Sequence, residues 1–279
     1  MGQPTDGQTL TTGTPDLLAS LDEHVLTLTL NRPDARNAMS RAMNVALQQQ
    51  LAEAEINPAV RCIVLTGAGS GFCAGGDVKS MAASGDGTVG ALTIDEAIHR
   101  QRLNQRATAG KLFNMPKPTI AALPGAAAGA GLSLALACDL RIMASTAIMT
   151  TAFARVGFSG DYGGSYFLTR LVGAGKAREL YFLSERVSAE EALRLGLTNW
   201  VCPPDELMQR TQEVARRLAR GPTVAYRYMK ENLNRAVHGH WDECLDLEAT
   251  HHVHCGQTED HREATKAFVA KREPVFQGR

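Results

Sequence analysis

The chain is expected to fold as an α/β protein in which buried strands alternate with helices. Two apolar, β-branched runs carry that expectation: Arg61-Cys62-Ile63-Val64-Leu65-Thr66 and Pro118-Thr119-Ile120-Ala121-Ala122-Leu123. Their length and composition suit buried strands. Each leads into a loop of small residues, Phe72 to Asp77 after the first and Gly129-Ala130-Gly131 after the second. From Ser188 onward the pattern is almost wholly helical. With 279 residues, 44% of them hydrophobic, the chain can bury one sizeable core and a smaller helical lobe.

In chain order, Met1 to Pro15 is polar and rich in Gly, Thr and Gln, and is expected to be a disordered tail. It has neither the apolar stretch of a secretion signal nor the arginines of a transit peptide. His24 to Leu30 alternates polar and apolar residues, as a strand with one covered face does. Asn31-Arg32-Pro33-Asp34 breaks it, and Ser40 caps a helix expected to run to about Ile56, where Asn57-Pro58 ends it. After the strand at 61–66 and the loop Gly67 to Gly76, residues 82–90 read as a flexible lid. A helix is expected from about Ile94 to Phe113, followed by the strand at 119–123. Such strand, helix, strand order demands right-handed crossovers.

Further on, Ser188-Ala189-Glu190-Glu191 is a capping box, Asp205 starts another helix, and Gly221-Pro222 separates it from the next. The segment Thr258 to Arg272 has apolar Ala264, Ala267 and Phe268, and gathers Lys266, Lys271 and Arg272 at its end, where the helix dipole favours cations. The organisation expected is a tail over 1–15, a core over 16–200 and a helical C-terminal region over 201–279.

Charge is balanced at 29 basic and 29 acidic residues, so neither a nucleic-acid partner nor an acidic membrane surface is expected. Six cysteines at 62, 73, 138, 202, 244 and 255 show no Cys-x-x-Cys spacing, which suits reduced thiols and a cytoplasmic location. Cys73, beside the first small-residue loop, reads as a reactive thiol or, better, a small wall residue. His251, His254 and Cys255 could meet on one helix face as zinc ligands, but a solvated or interface face is the simpler expectation, with no metal. Gly67-Ala68-Gly69-Ser70-Gly71 lacks the Lys-Ser/Thr ending of a triphosphate loop and the downstream pattern of a dinucleotide fold, so no such cofactor is expected.

The two small-residue loops suggest a pair of backbone amides aimed at one oxygen. When a proton leaves the carbon next to a thioester, the carbonyl oxygen becomes an enolate and needs donors already in place. Small residues let the main chain approach, and the second amide opens a helix whose positive end favours negative charge. Close helix-strand packing alone would also explain such glycines.

Order along the chain decides between these. Asn31 through Ala38, Ile63-Val64-Leu65-Thr66-Gly67, Ala74-Gly75-Gly76-Asp77 and Lys117 through Ala122 occur in turn. Gly129-Ala130-Gly131, Ala137-Cys138-Asp139 and Ala264 through Phe276 follow them. As an ordered set spanning roughly residues 16–276, these motifs resemble the crotonase, or enoyl-CoA hydratase/isomerase, family. The resemblance implies a spiral of β-β-α units, as in ClpP-like folds, with a helical C-terminal region that trimerises, as a trimer or a dimer of trimers. It implies an acyl-CoA thioester as substrate, no separate cofactor, and an oxyanion hole at the amides of Gly76 and Ala130. Ala38, Ala74, Gly75, Asp77 and Val78 would line the thioester, and residues 77–113 the acyl tunnel, with 82–90 as its lid. Arg36 would lie near the ADP part of CoA, although a solvated surface arginine explains it nearly as well. Lys271 resembles the family's C-terminal cation that reaches CoA across a subunit boundary.

Hydratases of the family carry two glutamates that hold a water between them. Aligned on the motifs, those positions are Ser133 and Phe153 in this chain. A hydroxyl and a phenyl ring cannot activate water as a carboxylate pair does. Asp161, in the run Gly157 to Gly164, instead matches an Asp of dienoyl-CoA isomerases, of the ring-epoxide isomerase of phenylacetate breakdown and of chlorobenzoyl-CoA dehalogenase. The dehalogenase's histidine base, however, falls on Arg106, and the acidic residue of dihydroxynaphthoyl-CoA synthases falls one position earlier. Asp161 therefore reads as a proton-moving carboxylate or as the N-cap of the helix that follows, and Phe158 as a pocket wall. Isomerase-type proton transfer is expected, ahead of hydration through Asp161 or a catalytically weak acyl-CoA binder.

Overall fold

The computed structural model describes residues 7–77 and 92–279. Two sheets form its centre. The larger holds, in spatial order, Gln8–Leu10 (β1), Leu17–Asp22 (β2), Val25–Leu30 (β3), Cys62–Gly67 (β4), Thr119–Leu123 (β6), Leu140–Ala144 (β8) and Trp200–Cys202 (β11). The smaller holds Val187–Ser188 (β10), Ile148–Thr150 (β9), Ala126–Ala128 (β7) and Gly71–Cys73 (β5). β3, β4, β6, β8 and β11 pair in parallel, as do β5, β7 and β9. Consecutive strands alternate between the sheets, β4 to β5, β6 to β7 and β8 to β9, so each turn of chain lays one strand on each. This is the α/β spiral of β-β-α units that the motifs imply.

β4 and β6 are buried along their whole length, which is why their sequences are continuous apolar runs rather than alternating ones. The helices wrap this centre. Arg41–Ile56 (α1) starts at Ser40, whose Oγ accepts the Met43 N–H at 3.0 Å. Ile94–Ala107 (α2) starts at a complete Thr93/Glu96 capping box. Ala109–Asn114 (α3) precedes β6, and Ala130–Ala137 (α4) follows β7 with every residue buried. Gly164–Leu183 (α5) and Ala189–Arg194 (α6) come next, then Leu207–Ala219 (α7), Thr223–Ala236 (α8), Trp241–Gly256 (α9) and Glu259–Val269 (α10). Among the described residues no helix is long and apolar enough to cross a membrane.

Three expectations change. Residues 8–10 are not a disordered tail: β1 pairs antiparallel with β2, satisfying that strand's outer edge while Leu10 packs on the core. The helix expected over 94–113 breaks at Thr108 (φ −117°, ψ −90°), whose Oγ1 bonds the Asn104 carbonyl at 2.7 Å. The boundary at residue 200 cuts β11, which pairs with β8, and Leu207, Ala215 and Ala219 of α7 are buried in the same core. Helices beyond α7 are tied in by Lys230, whose Nζ reaches the Leu112 carbonyl and the Asp139 carboxylate, both at 2.9 Å. The lid expected at 82–90, and Val78, lie outside the described residues.

Candidate active site

The turn Arg32–Ala38 is organised by Asn37, which is fully buried although the sequence reading gave it no role. Its Oδ1 accepts the Arg32 N–H at 2.9 Å, and its Nδ2 donates to the carbonyls of Ala68 and Gly71 at 2.9 and 2.8 Å. Arg32 then reaches the Ala38 carbonyl at 2.7 Å and the Asp77 carboxylate at 3.0 Å. The Ala74 N–H donates to the Arg36 carbonyl at 3.0 Å, and the Met39 N–H to Gly75 at 2.8 Å. These bonds fix the first small-residue loop against the turn, and they place Asp77 in an ion pair with Arg32.

The second loop is shaped by Gly129, whose φ of 53° and ψ of −125° suit glycine alone. That kink starts α4 at Ala130 and points its first free N–H outward from the helix end. The two loops touch. A Cβ on Gly75, itself at φ +89°, would lie 2.8 Å from the Ala128 carbonyl oxygen and 3.2 Å from the Ala130 nitrogen. Among the described residues neither the Gly76 nor the Ala130 amide donates to a protein acceptor. Both residues line one space.

That space is a cavity of about 690 Å³ whose wall includes Gly76, Ala130, Phe153, Phe158 and Asp161. Phe153 is buried and stacks on Tyr181, with centroids 5.9 Å apart and planes at 18°. Phe158 is exposed at the rim. Ser133 is buried behind the wall, its hydroxyl turned back to the Gly129 carbonyl at 3.3 Å. Ala38, Ala74, Gly75 and Asp77 support the loops rather than line the cavity. Arg36 and Lys271 are exposed outside it, both at positive φ (52°) in turns. Arg106 is exposed on α2.

Asp161 does not cap α5: Gly163 is the N-cap residue, and it is the Asp161 backbone carbonyl that accepts the Gly164 N–H, at 3.1 Å. The side-chain Oδ1 is buried with no hydrogen-bond partner. Desolvation by burial raises this carboxyl to a pKa of about 6. A buried carboxylate oxygen left without a partner is costly, and its position in a cavity is where a reacting group belongs. Cys73 is the opposite case: it is wholly buried, its sulfur accepts the Gly75 N–H at 3.5 Å, and burial pushes its thiol up to about 12. It is a wall residue, not a nucleophile.

The far wall of the cavity is formed by α1 and α2; the α2 residues fall within the stretch 77–113 expected to line the acyl tunnel, whereas the α1 face was not anticipated. Arg41, Asn44, Val45 and Gln48 lie on one face of α1, and Arg100, Gln101 and Asn104 on one face of α2. Helical spacing gives each face, but only tertiary packing turns the two toward the same space. The histidine cluster is elsewhere. His251 stacks on Tyr228 (4.3 Å) with its Nδ1 2.5 Å from Asn232 Oδ1, and no three His, Cys, Asp or Glu side chains among the described residues converge as metal ligands.

The family model described as enoyl-CoA hydratase/isomerase matches residues 20–279. The 1,2-epoxyphenylacetyl-CoA isomerase of Escherichia coli is 36% identical, over 94% of this chain and 98% of its own length. The short-chain-enoyl-CoA hydratase of Clostridium acetobutylicum is 34% identical, over 89% of this chain and 92% of its own. A crystal structure of an enoyl-CoA hydratase from Polaromonas superposes with a TM-score of 0.86 at 33% identity, covering 93% of this chain and 99% of that one. With its spiral fold and these matches, the chain belongs to the enoyl-CoA hydratase/isomerase family.

Proposed function

We propose that this enzyme moves a proton between carbons of an enoyl- or related acyl-CoA thioester, with the enolate oxygen held by the amides of Gly76 and Ala130 and Asp161 as the proton carrier. The observation that carries this reading is the half-buried Asp161 carboxylate, its Oδ1 buried without a partner and its pKa raised to about 6, on the wall of the same cavity as Gly76 and Ala130. A base of that pKa is mostly ionised at neutral pH yet can hold the proton it removes. It takes a proton from carbon as the electron pair moves onto the thioester oxygen, then returns it to a second carbon as the enolate collapses. One carboxylate suffices for such a shuttle. Water addition by the family's usual pair has no support here, since Ser133 is turned inward and Phe153 is aromatic. No metal or cofactor enters the scheme; CoA enters as part of the substrate.

Hydration through Asp161 and one bound water is the second reading, favoured by relatives named as hydratases at 34% and 37% identity. The two separate in deuterium oxide. The first expects solvent deuterium at an α or γ carbon of a 3-enoyl-CoA, with slow hydration of crotonyl-CoA; brisk hydration without exchange would overturn it. The proposal includes a trimer, or a dimer of trimers, in which the C-terminal cation Lys271 meets CoA bound to a neighbouring subunit.

A further inference from the structure

The cavity is two-faced. Phe153 and Phe158 give it an apolar side, but α1 and α2 line the other with two guanidinium groups, Arg41 and Arg100, and with carboxamides, Val45 being the apolar residue among them. A site for a plain hydrocarbon acyl chain gains nothing from such a wall, because the chain offers its polar groups no hydrogen-bond partner. Neither arginine forms an ion pair among the described residues. The acid one helical turn before Arg100 is Glu96; it feels the Arg100 charge without a close ion pair, and its carboxylate accepts the Thr93 N–H at 2.7 Å and the Thr93 hydroxyl at 2.9 Å. Asn44 has a buried Oδ1 with no hydrogen-bond partner. Half a turn about χ2 presents Nδ2 there instead, so Asn44 can serve either a hydroxyl or a carboxylate oxygen. Gln48 and Asn104 bond each other at 3.3 Å across the two helices, which ties the polar wall together. Among the described residues, the one carboxylate on the cavity wall is Asp161, already given the proton-transfer role.

We infer that the acyl group this enzyme takes carries a carboxylate away from the thioester, recognised by Arg41 and Arg100 with Asn44: the substrate class is the half-thioester of a dicarboxylic acid with CoA. This rests on the acyl-CoA reading above and narrows it. Guanidinium groups suit a carboxylate through paired N–H donors, and the cationic rim draws an anionic tail in while Asp161 stays at the thioester end. Both arginines are solvent-exposed, so their contribution is that of a screened, charge-assisted contact.

Calorimetric titration tests this with glutaryl-CoA and adipoyl-CoA, each against its apolar isostere ending in an isopropyl group (5-methylhexanoyl-CoA and 6-methylheptanoyl-CoA). At least one dicarboxylic thioester should bind about tenfold tighter than its isostere, and the advantage should shrink as salt is raised. The variant Arg41→Gln/Arg100→Gln, its folding checked by thermal melting, should lose that advantage while binding the isosteres as before. Equal or tighter binding of both isosteres overturns the inference. So does an equal loss for the dicarboxylic thioesters, the isosteres and free CoA in the variant, which would mean that the arginines bind the phosphates of CoA. If no thioester binds at all, the acyl-CoA reading falls as well.

Discussion

Gln105 holds the backbone of Tyr162: its Oε1 accepts the Tyr162 N–H at 2.6 Å, across 57 residues of chain. Tyr162 sits at φ +49° between Gly160 at +109° and Gly163 at +79°, so the segment that carries Asp161 is sharply bent. Without an outside acceptor such a bend would relax, because positive φ is unfavourable for a residue with a side chain. The clamp from α2 therefore sets where the Asp161 carboxylate points.

Gln105→Leu should test that positioning role. The side chain keeps its approximate bulk and loses the acceptor, leaving the Tyr162 amide unpaired at a cost of about 1–3 kcal/mol. Turnover on the preferred thioester should drop about tenfold or more, with KM changed far less, because orientation rather than substrate contact is lost. Gln105→Glu, which keeps an acceptor oxygen, should restore most of the rate. Equal losses in kcat and in thermal stability for both variants would point to a merely structural role.

Gly75→Ala should damage the oxyanion hole without touching Asp161. Its Cβ would press on the Ala128 carbonyl at 2.8 Å and on the Ala130 nitrogen at 3.2 Å, from a backbone at φ +89°. Strain of about 1–3 kcal/mol is expected in the melting curve. Displacing one of two oxyanion donors should lower kcat by about two to three orders of magnitude. A folded variant with near-normal turnover would remove the Ala130 amide from the mechanism.

Assembly is predicted by the helical C-terminus. Trp241 is 74% exposed and Phe268 85% exposed in the single chain, with Leu245 and Val269 exposed as well. Large apolar side chains in such number suggest an interface. Sedimentation at micromolar concentration should give three or six copies, and Trp241→Glu should shift the protein toward smaller species. A wild-type chain that sediments as a monomer would count against the trimer and against any role for Lys271 across a boundary.

What could be read from the sequence was what local chemistry dictates. Continuous apolar runs marked β4 and β6, and Ser40 and Ser188 marked helix starts, because burial and capping leave residue-level signatures. The small residues around Gly76 and Ala130 were legible for the same reason: close backbone approach excludes side chains. β1 was not legible, since Gln8–Leu10 is too short to alternate and is fixed only by pairing with β2. Nor could the sequence choose between cap and base for Asp161. That choice lies in one side-chain direction, which the bend at Tyr162 and the reach of Gln105 determine. The arginines of α1 and α2 were invisible as a pair because they lie 59 residues apart and meet only through packing.

The Asp161 carboxyl links rate and stability to pH in opposite directions. Burial raises it from 3.8 to about 6 in the folded protein, so the fold favours the protonated form. Its stabilising contribution is therefore fully present below about pH 4 and is lost as pH rises through about 6. Catalysis needs the ionised form, so kcat/KM should climb over that same interval and level off above it. Asp161→Asn removes both effects. Its turnover should be down by about two to four orders of magnitude with no limb near pH 6. Since the native side chain makes no capping bond to α5, the variant should fold normally, and its melting temperature relative to wild type should rise from pH 4 to pH 8. Solvent deuterium should enter the thioester in the wild type and not in the variant. A variant that exchanges at the wild-type rate, or a wild-type profile flat from pH 5 to pH 8, would remove Asp161 as the proton carrier.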